Sequence, residues 1–200
     1  MVEASNNAPA PVAQAAPASQ AQHDLRGWTR DLAVALGFAL VIIIFLYQPV
    51  KVEGTSMAPL LSDQERIFIN KFVYHFEPID RGDVVVFWYP LDRSKSFIKR
   101  VIGLPGDTVE IRDGRLYLNG NEMAEPYVPA SYLDGASYAA RTLSSDEYFV
   151  MGDHRDSSND SRMFGPVERQ YIYGKAVFAY WPADHFGSLT SPSTVSAASK

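Results

Sequence analysis

Cysteine is absent from all 200 residues. That excludes a disulfide frame, a thiolate nucleophile, a zinc–thiolate knot and an iron–sulfur cluster. It places the chain in no particular compartment, since cysteine-free chains suit any of them. A basic excess is also missing: 18 Lys and Arg stand against 23 Asp and Glu, for a net charge of −5. A protein that tracks nucleic-acid phosphates normally carries a basic face, so nucleic acid is not an expected partner. Histidine is scarce, with only His23, His75, His154 and His185. What the chain does have is 46% hydrophobic residues, enough to build a core. Its length allows one ordinary domain plus appendages.

Four zones follow from the order of residues. Residues 1–27 are low in complexity, with eight alanines and three prolines before Asp24. This reads as a disordered tail. Residues 28–48 contain Leu32–Tyr47, sixteen residues without a charge, between Trp28 and Gln48. Apolar on every face rather than striped, the run reads as one transmembrane helix, although at roughly 24 Å it is short against the ~30 Å hydrocarbon core. A buried globular helix is the alternative. Arg26 and Arg30 before the run balance Lys51 and Arg66 after it, so charge gives no orientation. Residues 49–185 read as β structure, and residues 186–200, rich in Ser, Thr and Ala, as a flexible tail.

Within the third zone, Asp83–Tyr89 is a continuous β-branched and aromatic run, the pattern of a strand covered on both faces. Asp113-Gly114 and Asn119-Gly120 mark two-residue hairpin turns, and Pro105-Gly106 a type II turn. Helical periodicity is missing after Tyr47. The expected fold class is mainly β, antiparallel sheets folded into a barrel or sandwich, preceded by one transmembrane α-helix.

Three stretches could carry chemistry. Gly54-Thr55-Ser56-Met57-Ala58-Pro59 offers a serine nucleophile, or simply a turn. Phe97-Ile98-Lys99-Arg100-Val101-Ile102 alternates faces as a strand, which puts Lys99 beside Phe97 and Val101. Lys99 reads either as a desolvated base or as a snorkelling edge lysine. The third stretch, Gly152-Asp153-His154-Arg155-Asp156-Ser157-Ser158-Asn159-Asp160-Ser161-Arg162, is a dense polar loop. Calcium does not fit there, because Ser161 occupies the EF-hand glycine position and Val167 the glutamate position. No metal ligands or cofactors are expected. A Ser-His-Asp triad would have to use His154, without a nucleophile-elbow motif around Ser56.

Taken in order, the membrane-type helix, S-M-A-P, F-I-K-R-V-I-G-L-P-G-D and G-D-H-R-D-S-S-N-D-S-R resemble bacterial type I signal peptidase, a membrane-bound Ser-Lys protease. The likeness runs from about Leu32 to Trp181. It implies Ser56 as nucleophile and Lys99 as general base. Ser158 and Asp160 would orient the lysine and brace the site, with Arg162 as the partner of Asp160. The Ser56 backbone N–H would serve the oxyanion. Met57, Phe97 and Ile98 would help wall pockets for small residues at the first and third positions before the cut. The implied partners are signal-peptide-bearing preproteins and the lipid bilayer. The implied place is the bacterial cytoplasmic membrane, tail inside and β domain on the outer face. Gly54 departs from members that carry a serine there as an oxyanion donor.

The chemistry makes one demand. A lysine at its ordinary pKa near 10.4 is neutral in only about one molecule in a thousand near pH 7.5, so Lys99 must be desolvated to act as a base. Nine residues from Tyr47 to Ser56 span at most about 30 Å, which would keep the chemistry near the bilayer. Two rival readings are a membrane Ser-Lys peptidase with a dedicated client, and a membrane-anchored β domain that binds exported chains without cutting them.

Overall fold

The computed structural model describes residues 18–189 and 196–197, so most of the tail expected over residues 1–27 lies outside the described residues, as does most of the tail after Leu189. The chain divides into two compact units, residues 1–43 and 44–200.

Helix α1 runs Ala18–Leu46, beginning inside the stretch read as tail. No proline occurs between Pro17 and Pro49. Pro49 lacks a donor and disfavours helical geometry at Gln48, so the helix stops just before it. Leu40, Val41, Ile42 and Ile43 are each more than half exposed, which exposes apolar side chains around the helix. Among the described residues, no helix is long and apolar enough to cross a membrane. The expected span Leu32–Tyr47 is shortened because Tyr47 opens a strand. Only Leu32–Leu46 is both helical and uncharged, about 22 Å of rise.

The second unit is mainly antiparallel β. Its strands are β1 (Tyr47–Lys51), β2 (Arg66–Asn70), β3 (Val84–Tyr89), β4 (Asp92–Gly103), β5 (Thr108–Arg112), β6 (Arg115–Leu118) and β7 (Asn121–Ala124). They continue with β8 (Tyr138–Thr142), β9 (Glu147–Met151), a one-turn helix α2 (Ser161–Phe164), β10 (Val167–Glu168), β11 (Ile172–Trp181), β12 (Gly187–Ser188) and β13 (Ser196–Ala197). One sheet has the order β1-β2-β11-β3-β4-β9-β10, with β12 beside β11; the other has the order β13-β7-β6-β5-β8. Among the described residues no pairing joins β1 to β10, so the larger sheet stays open and no barrel closes.

Strand β3 explains the centre of the fold. Val84 and Val86 pack into one core with Val52, Met57 and Ile67, while Val85 and Phe87 pack into another with Val101 and Val150. All four are buried, as an unbroken β-branched run demands. A third core joins the sheets, with Ile102, Phe149 and Met151 of the larger one against Val109, Ile111 and Leu116 of the smaller. Gly103 permits that approach, since a Cβ there would lie 2.6 Å from Val109. The turns follow the residues. Asp113-Gly114 and Asn119-Gly120 all take positive φ, as two-residue hairpins require. Leu104 accepts from the Asp107 amide across Pro105-Gly106, with Gly106 at φ +85, the type II geometry.

Candidate active site

Ser56 sits in the connection between β1 and β2. Gly54 enters it at φ +90, and its amide donates to Asp63 Oδ1 at 2.8 Å. Thr55 accepts from the Ala58 amide, tightening the turn around the serine. Lys99 comes from β4, opposite Val85 of β3. Its Nζ lies 2.6 Å from Ser56 Oγ and 3.0 Å from the Ile98 carbonyl. The lysine is only 4% exposed. Burial pushes its pKa down from 10.5 to about 8; Asp160 and Asp153 oppose that fall, and Arg162 adds to it. Near pH 8, then, half the molecules carry a neutral amine against the serine hydroxyl.

The polar loop after β9 closes over this pair. Gly152 is wedged where a Cβ would lie 2.3 Å from Ser158 Oγ and 2.4 Å from the Ser56 carbonyl, so only glycine fits. Asp160 is fully buried and accepts from the Gly152 amide at 3.1 Å, from Arg162 Nε at 2.8 Å and from Arg162 Nη2 at 2.8 Å. It also caps α2. Arg162 pairs in addition with Asp134 and donates to the Arg155 carbonyl. The structure therefore brings Ser56, Lys99, Ser158, Asp160 and Arg162 to one place. Ser158 Oγ is buried with no hydrogen-bond partner among the described residues, and the amine's two bonds go to Ser56 and Ile98.

His154 is otherwise occupied. Its amide donates to the Ser56 carbonyl at 3.1 Å. Its ring stacks on Tyr132 with centroids 3.8 Å apart, with Nδ1 3.3 Å from the Thr55 carbonyl and Nε2 3.0 Å from Asp156. Both ring nitrogens face these groups, so the geometry pairs the serine with lysine rather than with histidine.

A cleft of about 500 Å³ runs past the pair, with Val50–Ser56 on one side and Ser96–Lys99 on the other. Phe97 and Ile98 line it. Met57, expected on its wall, points instead into the core with Leu61 and Ile67 and is 1% exposed. The turn at Thr55–Ala58 rotates that side chain inward. Among the described residues no group of three or more His, Cys, Asp or Glu could hold a metal ion.

Sequence reasoning missed the charges behind the loop. Arg100 and Asp153 form a buried two-bond pair at 2.8 and 2.6 Å. The strand alternation that set Arg100 opposite Lys99 was the available signal. Glu125, Tyr127, Tyr132 and Asp134 gave none, because their partners lie far along the chain.

Known proteins are similar to this chain over most of its length. Signal peptidase I of Leptolyngbya laminosa is 35% identical over 192 residues, covering 91% of this chain and 92% of its own. Signal peptidase I of Bacillus amyloliquefaciens is 41% identical over 166 residues, covering 78% and 84%. The crystal structure of a signal peptidase I from Enterococcus faecalis aligns at a TM-score of 0.44 and 33% identity, over 50% of this chain and 97% of that one. The family model described as signal peptidase, peptidase S26, matches residues 25–181, and the chain belongs to that family of serine endopeptidases.

Proposed function

We propose that this chain removes N-terminal signal peptides from exported preproteins, with Ser56 as nucleophile and Lys99 as general base. The observation that carries the reading is a buried amine 2.6 Å from a hydroxyl, with its pKa lowered to about 8 by desolvation. Neutral Lys99 takes the Ser56 proton as Oγ attacks the scissile carbonyl. The ammonium then gives that proton to the leaving nitrogen, the peptide bond breaks, and an ester to Ser56 remains. Neutral again, the amine takes a proton from water as the water oxygen attacks the ester. The ammonium then returns that proton to Ser56 Oγ as the ester bond breaks, releasing the signal peptide with a free carboxylate. The Ser56 backbone N–H faces the developing oxyanion. The Gly54 amide supplies no second donor, because Asp63 holds it.

The cleft suits an extended peptide. Main-chain bonds would supply affinity, and the apolar lining of Val52, Ile67, Val86 and Ile98 would select small residues before the cut. Arg162 holds Asp160, Asp160 braces the loop at the Gly152 amide, and the Ser158 hydroxyl would orient the lysine amine during turnover. The exposed apolar stretch of α1 anchors the protein in the cytoplasmic membrane, with local bilayer thinning and snorkelling by Arg30 making up the missing length. The N-terminus lies in the cytoplasm and the β unit on the outer face, where exported chains emerge.

The test is cleavage of a preprotein with an Ala-x-Ala site by detergent-purified protein, with product N-termini sequenced. Ser56→Ala and Lys99→Ala should each abolish cleavage with the fold intact. Undiminished cleavage by Lys99→Ala would end the Ser-Lys reading, and binding without turnover by the unaltered chain would favour a non-catalytic scaffold.

A further inference from the structure

We propose that Glu125 is a positioning residue for the reaction: through Arg155 it fixes Gly152, and so the spacing between the Ser56 turn and the loop that carries Ser158. The inference rests on the peptidase reading above. Glu125 lies just after β7, on a connection to β8 that contributes nothing to the cleft lining. Its carboxylate meets the Arg155 guanidinium in a two-point fork, 2.6 Å to Nη1 and 2.5 Å to Nη2. The arginine side chain is 3% exposed and the glutamate side chain 9%.

Held in that fork, Arg155 turns its third nitrogen, Nε, to the Gly152 carbonyl at 3.1 Å. The Gly152 amide is held from the other end by Asp160 at 3.1 Å. Gly152 is thus gripped at both its donor and its acceptor. The space its missing Cβ leaves is filled by Ser158 Oγ and the Ser56 carbonyl. A shift of a few tenths of an ångström at Gly152 is transmitted straight to both. The Arg155 carbonyl also accepts from Arg162 at 2.7 Å, tying the same residue to the arginine that grips Asp160.

Glu125 is itself aimed. The Tyr127 hydroxyl donates to its Oε1 at 2.7 Å, while the Tyr127 ring lies under the Arg100 guanidinium at 4.3 Å. The same connection adds the Tyr132 stack on His154 and the Asp134 pair with Arg162. One segment between β7 and β8 thus contacts the catalytic loop at three places, and strand β4 at Arg100, without touching the reacting atoms. Arg155 stays charged in all of this, because a guanidinium keeps its proton. Removal of the Glu125 charge leaves a buried cation that must find another carboxylate, and Asp153 is the neighbouring one. Reorientation toward Asp153 would take Nε away from Gly152.

The experiment measures kcat and KM of the full detergent-purified chain on an Ala-x-Ala preprotein, with melting temperature recorded in parallel. Glu125→Gln keeps shape and removes charge; it should lower kcat about tenfold with KM within twofold. Arg155→Gln should do the same, and the double variant should be no slower than the slower single one, because both break one linkage. A role in stability alone would lower the melting temperature and leave kcat intact, and that result overturns the proposal; so does a loss that falls on KM. Should Glu125→Gln fail to fold, Tyr127→Phe decides. It removes one hydrogen bond, should lower kcat about threefold, and overturns the proposal if kcat is normal. A wild-type chain that does not cleave, or a Ser56→Ala variant that does, overturns the peptidase reading and this inference with it. Wild-type cleavage, an inert Ser56→Ala and a fully active Glu125→Gln overturn this inference alone.

Discussion

Arginine–carboxylate pairs occupy two very different settings in this protein. On the five-stranded sheet, Arg115 and Glu122 meet at 3.0 Å with side chains 69% and 40% exposed. Behind the catalytic loop, Arg100 and Asp153 meet at 2.6 Å with side chains 2% and 1% exposed. Water screens the first pair and has been stripped from the second. The exposed pairs decorate hairpins whose register the Asp-Gly and Asn-Gly turns already set. The buried pair, with Glu125–Arg155 and Asp160–Arg162, does what apolar packing cannot. It places polar backbone groups beside a lysine that must stay dry.

Four measurements would break or sharpen that contrast. The largest effect belongs to the lysine held by the buried charges: Lys99→Ala should reduce kcat by at least about four orders of magnitude, measured as cleavage per folded molecule. Next, Arg100→Met strands the buried Asp153 carboxylate and should cost about 3–5 kcal/mol in chemical denaturation, a loss typical of breaking a buried pair from one side.

The third measurement turns on Lys99 and pH. Its folded pKa of about 8 lies below the ordinary 10.5, so the folded state holds fewer protons between those values. The cost of burying the amine is full below about pH 8 and fades as pH rises toward 10.5. Lys99→Met should therefore stabilise the fold at pH 7 by up to about 3 kcal/mol, the shift converted at 1.36 kcal/mol per unit. That gain should vanish near pH 10.5 in parallel denaturation curves. In the unaltered enzyme the same proton sets the rate, and kcat/KM should climb with pH and level off above about 8. A limb centred near 6.5 and lost in His154→Ala would point to imidazole instead. Smallest of all, Arg115→Ala should leave melting temperature and activity unchanged.

The contrast also separates what the residues disclosed from what they withheld. Local rules were readable. Asp113-Gly114 and Asn119-Gly120 announce their turns by needing positive φ, and Val84–Phe87 announces a strand with two buried faces by having no polar position. The alternation along β4 put Lys99 with Phe97 and Val101, and the resemblance put it with Ser56. Met57, which the resemblance put on the pocket wall, lies in the core instead, because the tight turn at Thr55–Ala58 carries its side chain inward. The start of α1 at Ala18 was missed because proline-rich composition upstream suggested tail, and the helix expected over residues 28–48 ran up to Pro49, whereas the chain turns to strand at Tyr47. The braces on the catalytic loop were illegible for a different reason. Glu125 stands thirty positions from Arg155, and nothing along the chain tells which of its carboxylates will face that guanidinium.

The bare Cα of residue 152 has a further consequence. Because only hydrogen occupies that spot, two stretches remote in the chain touch main chain to main chain, a contact with no rotatable bonds to absorb motion. The nucleophile borrows its stillness from a residue that makes and breaks no bond. Even one added methyl group would push the two halves of the catalytic centre apart.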